Sequence, residues 1–193
     1  DIIKVYSASC IQSLGDLSPC YLATVSTGPA SKLKELIIGN DTEGYSNPYF
    51  TELTTGANTL LEVLNVENVT GLSRPLNLSA LTNLKELYAK GSNATGVVFA
   101  DGGQMVIAEL PAVSSVNMSN LIYLQTLSFE SYDKLTTLIV ENCNTIDIPM
   151  LMLWAPKINR ARFIGVDWVL SDTSLLERIY NMTGVDSDGY NID

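Results

Sequence analysis

The chain has 193 residues, 46% hydrophobic and only 17% charged, which bounds it to one folded domain with a continuous core and excludes a disordered chain. Its formal net charge of -10 and pI near 4.3 repel a nucleic-acid backbone or an anionic membrane, so neither is an expected partner. No run of about eighteen apolar residues exists to span a bilayer, so membrane insertion is not expected.

From the start, Asp1 to Tyr6 alternates as a strand, and Ile11, Leu14, Leu17 and Leu22 precede Gly28-Pro29 without a full repeat frame. Residues 1–29 therefore read as an N-terminal cap, covering the apolar face and open sheet edge that a first coil would otherwise expose. The chain begins at Asp1 without methionine, and a piece of a larger protein is expected.

Repeats occupy residues 30–168. The clearest is Leu81-Thr-Asn-Leu-Lys-Glu-Leu-Tyr-Ala-Lys-Gly91, whose apolar positions Leu81, Leu84, Leu87 and Ala89 match the L-x-x-L-x-L pattern of a leucine-rich unit. Ala30, Leu33, Leu36 and Ile38 precede it, as do Asn58, Leu61, Leu64 and Val66. After it come the frames ending at Met118, Phe129, Val140 and Phe163, whose second positions are Val113, Leu124, Leu135 and Ile158. Second positions step by 28, 23, 29, 22 and 23 residues from Leu33 through Leu61, Leu84, Val113 and Leu135 to Ile158. Leu124 falls midway, eleven residues from its neighbours on either side. Eleven residues barely allow a strand and a return, so the reading favoured is a flattened coil of about 22 residues with strands on two opposite sides; the competing one is a single sheet with short repeats.

Within the series, Asn40 to Thr51 is a polar loop carrying Tyr45, Tyr49 and Phe50; its aromatics are interface candidates, and Phe50 is expected to tuck under the coil. Val97-Val98-Phe99 and Met105-Val106-Ile107 flank Asp101-Gly102-Gly103 as a hairpin. Cys143 sits at the N/C position of its unit and is expected to be a buried free thiol, whereas Cys10 and Cys20 either pair or stay reduced. Beyond Trp168, Ser171 or Asp172 caps a helix bearing Leu175, Leu176, Ile179 and Tyr180 and ended by Gly184, so residues 169–193 form a helical C-terminal cap.

Motifs for chemistry are scarce. The chain has no histidine, which removes Ser-His-Asp and Cys-His nucleophile arrangements and histidine metal sites. Gly102-Gly103 lacks the third glycine and the lysine of a phosphate loop. In the stretch Asp186 to Asp193 glycine comes fourth, where a calcium loop needs it sixth. No catalytic residue, metal or cofactor is expected. Glu35, Glu67, Glu86 and Glu141 are too spread along the stack for a polysaccharide-degrading pair, so the chain is read as not an enzyme. Sequons at Asn40, Asn68, Asn77, Asn93, Asn117 and Asn181 read as repeat turns in which Asn bonds the backbone, or as glycan sites in a eukaryotic secretory chain.

What remains is the strand surface. Residues between the inward ones point out, giving a row of Glu35, Ile37 and Gly39, then Val63, Asn65 and Glu67, then Glu86, Tyr88 and Lys90. It continues through Thr137, Ile139 and Glu141 to Arg160, Arg162 and Ile164, and stacking is expected to align all of them in one plane. Ile37, Tyr88 and Ile139 suit either a partner or a second layer of the same chain.

The units beginning Ala30-Ser-Lys-Leu, Leu81-Thr-Asn-Leu and Tyr132-Asp-Lys-Leu resemble irregular bacterial-type leucine-rich repeats. The run from Gly165-Val-Asp-Trp to Glu177-Arg178, followed by Gly184-Val-Asp-Ser-Asp-Gly, resembles repeat regions in large tail or surface proteins of gut bacteriophages and related bacterial surface proteins. The resemblance implies a β-rich α/β repeat, a leucine-rich-repeat-like solenoid of stacked parallel strands, in a virion or at a cell surface. It also implies a non-enzymatic binding or assembly role, with other virion or surface proteins, a host-surface receptor or a glycan as partners. Ala89 and Ala161 depart from the usual Leu, and the steps are uneven. A secreted or cell-surface bacterial adhesion module shares all these features.

Overall fold

The computed structural model describes residues 13–27, 32–55, 58–143 and 145–166. The chain winds as a flattened parallel β-solenoid whose successive strands join two different sheets. The first sheet contains β1 (Ser13–Asp16), β3 (Glu35–Ile37), β5 (Val63–Asn65), β7 (Glu86–Tyr88), β9 (Ile107–Leu110) and β11 (Thr126–Phe129), side by side in that order. The second contains β6 (Leu76–Asn77), β8 (Gly96–Val98), β10 (Ser115–Ser119), β12 (Thr137–Glu141) and β13 (Arg160–Ile164). Between β1 and β5, the same alternation yields the pair β2 (Thr24–Ser26) and β4 (Glu52–Thr54). All these pairings are parallel.

The cause is a short frame that recurs on both sides. Leu33, Leu36 and Ile38 are answered across the coil by Phe50, Leu53 and Thr55, and Leu84, Leu87 and Ala89 by Ala94, Val97 and Phe99. Inward residues then stack strand upon strand: Leu36, Leu64, Leu87, Ala108 and Leu127 in the first sheet, and Leu76, Val97, Val116, Leu138 and Ala161 in the second. One apolar core fills the space between the sheets. Fully burying each Leu or Val contributes about 1.5–3 kcal/mol, and the parallel ladders satisfy the backbone groups that go in with it.

Turns repeat as well. Two residues after the last inward side chain, the backbone enters the left-handed region at Asn68, Gly91, Asn120, Asn142 and Gly165, with φ of 55°, 71°, 56°, 51° and 56°. Only Gly and Asn visit this region readily, which is why those positions hold nothing else. The Asn side chains tie one coil to the next: Nδ2 of Asn142 donates to Oδ1 of Asn120 at 2.7 Å, and Nδ2 of Asn120 to Oδ1 of Asp101 at 2.6 Å. A Cβ on Gly165 would collide with Oδ1 of Asn142.

Several expectations meet the structure here. The two-sided coil is observed, and it begins before residue 30, because β1 and β2 already pair with β3 and β4. The hairpin expected between Gly96 and Ile107 is not formed: β8 and β9 belong to different sheets, and Phe99 and Met105, both buried, anchor the crossing between them. Phe50 is fully buried as expected, while Tyr49 is exposed. Cys143 is a buried free thiol whose Sγ lies 3.2 Å from the carbonyl of Glu141; burial pushes its pKa up. Cys20 is a free thiol at the surface, and Cys10 lies outside the described residues, as do the expected C-terminal helix, Asn181 and the Asp186 to Asp193 stretch.

One element interrupts the alternation. After β12 the frame calls for a strand through Ile146, Pro149 and Leu151, but the chain forms the short helix α1 (Ile148–Trp154). Pro149 has no N–H for a ladder and suits the first helical turn, and Oδ1 of Asp147 accepts from the Met150 N–H at 2.9 Å. Among the described residues, no helix is long and apolar enough to cross a membrane.

Candidate functional site

The row expected as one plane divides between two sheets. Glu35, Ile37, Asn65, Glu67, Glu86, Tyr88 and Lys90 belong to the first sheet and the turns that leave it; Thr137, Ile139, Glu141, Arg160 and Arg162 belong to the second. This corrects the single row. The reason is parity: β12 is the fifth strand after β7, and with strands alternating between the sheets an odd step puts the two on opposite sides of the coil.

On the first face, parallel register aligns Glu35, Val63, Glu86, Ile107 and Thr126 in one row and Ile37, Asn65, Tyr88, Glu109 and Ser128 in the next. Strands β3, β5 and β7 each bury their middle residue and leave the flanking ones half-buried, so these side chains form a surface with little freedom. Tyr88 is at its centre. Its hydroxyl donates to Oε2 of Glu86 at 2.9 Å. Burial, the bond to Glu86 and the charges of Glu86, Glu109 and Glu67 together push its pKa up to about 12. Oε2 of Glu109 pairs with Nζ of Lys90 at 3.0 Å.

Glu67 completes this cluster. Its carboxyl is raised above the ordinary glutamate value, first by burial and then by Asp41 and Glu109, against a lowering bond from Nδ2 of Asn65 at 3.0 Å. Below these rows Nζ of Lys34 and of Lys85 reach the two carboxylate oxygens of Glu62 at 3.0 and 2.8 Å, and those bonds hold Glu62 below its ordinary range. Carboxylates outnumber cations across the central rows, with Lys90 the one cation set against Glu35, Glu67, Glu86 and Glu109.

The opposite face differs in kind. Asn77, Val98, Asn117, Ile139 and Arg162 form its middle row, with Ser115, Thr137 and Arg160 on one flank and Ser119, Glu141 and Ile164 on the other. Arg162 Nε lies 3.2 Å from Oε1 of Glu141. Polar amides and hydroxyls give way to cations at its C-terminal end.

Glu62, Lys85 and Glu109 are members of the first face that sequence reasoning missed. Glu109 is hidden in the sequence because Leu110 also fits the first position of the frame Leu110, Val113, Val116, Met118; the frame Met105, Ala108, Leu110 reveals it once Ala is allowed at the middle position. Of the sequon asparagines, Asn68 and Asn77 bond the backbone at turns, with Nδ2 of Asn68 donating to the carbonyl of Asn40 at 2.9 Å and Oδ1 of Asn77 accepting from Ser79 N–H at 3.1 Å, whereas Asn117 lies within strand β10. Among the described residues, no group of three or more Cys, Asp or Glu is arranged to hold a metal ion. No protein-family model, no curated protein and no solved structure matches this chain.

Proposed function

We propose that this chain is a leucine-rich-repeat-like solenoid serving as a non-enzymatic protein-binding or assembly module of a virion tail or surface protein. Its partners are other virion or surface proteins, or a receptor on the host surface. The observation that supports this reading is the Tyr88 face, where side chains are aligned by strand register and tied to one another by the Tyr88–Glu86 bond and the Lys90–Glu109 pair. A surface already ordered loses little conformational freedom on association, so more of its contact energy appears as affinity. Its surplus of carboxylates suits a partner surface that offers Lys and Arg and accelerates their encounter.

The complete reading frame and its neighbouring genes test the setting. Residues 1–193 are expected inside a longer chain flanked by tail or capsid genes. A leader ahead of Asp1 and a wall anchor after Asp193 would instead make the module a bacterial cell-surface adhesin. The face is tested separately: reversing Glu86 and Glu109 to Lys should abolish binding to the partner, whereas reversing Arg160 on the other sheet should leave it intact.

A further inference from the structure

The replacement of a strand by α1 leaves a feature that the repeat alone would not make. At the C-terminal edge of the first sheet, a groove of about 200 Å³ opens between β11 and α1. Leu127 and Leu151 form its apolar part, and Tyr132 and Trp154 bring two rings together with centroids 5.7 Å apart and planes tilted by 47°. Trp154 is 52% exposed although it is the largest side chain of α1. Gln125 and Asp147 are exposed polar members of the lining. Asp147 uses Oδ1 on the helix, while its Oδ2 and the Gln125 amide have no hydrogen-bond partner among the described residues. The hydroxyl of Thr145 donates to the Leu124 carbonyl at the floor of the groove.

We propose that this groove is a binding subsite for one neutral pyranose unit of a glycan. A pyranose has an apolar face of axial C–H bonds and a rim of hydroxyls, and it needs an aromatic plane beside a few acceptors and donors. The exposed Trp154 ring supplies the plane, with the tilted Tyr132 ring as a side wall; the Gln125 amide and the Asp147 carboxylate supply the rim. The volume is below the roughly 300–1,000 Å³ of pockets for drug-sized ligands, so it takes a single ring. Asp147 is the only charged residue of the lining and no cation is there to balance an acidic sugar, so the unit is neutral. The site is two strands away from Tyr88, and its test is independent of the protein-binding reading.

The experiment is saturation-transfer NMR on the full chain with the methyl glycosides of glucose, galactose, mannose and N-acetylglucosamine, each titrated through the millimolar range. At least one should receive saturation, strongest on its ring C–H protons. Trp154→Ala should abolish the transfer, and Gln125→Ala, an exposed position that does not touch the core, should weaken binding about tenfold. Circular dichroism confirms that both variants keep the fold. Transfer to none of the four glycosides, or transfer unchanged in Trp154→Ala, would overturn the proposal. So would saturation of N-acetyl-leucine amide with none of any sugar, which would assign the groove to a protein side chain.

Discussion

Asn142 shows how much one residue can carry in a coil of this kind. It supplies a left-handed backbone position at φ 51° and a bond to the preceding coil through Oδ1 of Asn120. Both Asn142→Ala and Asn142→Gly lose that bond, but only Ala resists the conformation, so Asn142→Ala should cost about 1–2 kcal/mol more than Asn142→Gly. Urea midpoints of the two variants check the difference. Tyr88 gives a second residue-scale expectation. Its folded pKa lies above that of the unfolded phenol, so the folded chain holds the proton more tightly. The corresponding stability is fully present below pH about 10 and is lost as pH rises through about 12. The difference between phenolate titrations of the wild type and Tyr88→Phe isolates this group among the nine tyrosines. In a Glu86→Gln background the same transition should move back toward the ordinary value, since both the bond and the charge are altered.

At the scale of elements, α1 depends on its first residues. Asp147→Ala removes the bond to the Met150 N–H and should cost about 1 kcal/mol, read from the same denaturant curves. The loss should fall on α1 and the groove it borders, so Tyr132 and Trp154 emission should change while the sheets keep their circular dichroism. This element was legible in hindsight from Asp147 and Pro149, which mark a helix start inside a strand frame. The strands themselves were legible from Leu, Val and Ile at fixed offsets, and the two eleven-residue shifts from Val113 through Leu124 to Leu135 pointed to two sides. What the pattern hid was membership. The frame Met105, Ala108, Leu110 is weak at its middle position, and Val113 follows Met105 after only eight residues, so two strands on opposite sides looked like one hairpin and one repeat. Missing one strand reverses the side of each strand counted after it, which is why outward residues were recognised individually and their faces were not.

At the largest scale, the described residues place parallel strands on two sides of one core, giving two unlike faces and a groove beside β11, the edge strand of the first sheet. The first face is acidic and centred on Tyr88; the second is amide-rich and ends in Arg160 and Arg162. Rigid repeats of this kind present such surfaces without ordering them on contact. The exposed ion pairs contribute little to stability, so their alignment bears more on partner choice than on folding. Hydroxyl-radical footprinting of the isolated chain, and of the particle or surface assembly in which the proposed function places it, tests the central claim. The Tyr88 face should be protected in the assembled state while Ile139 and Arg162 keep their reactivity. Equal oxidation of Tyr88 in both states, or protection confined to the opposite sheet, would contradict the account.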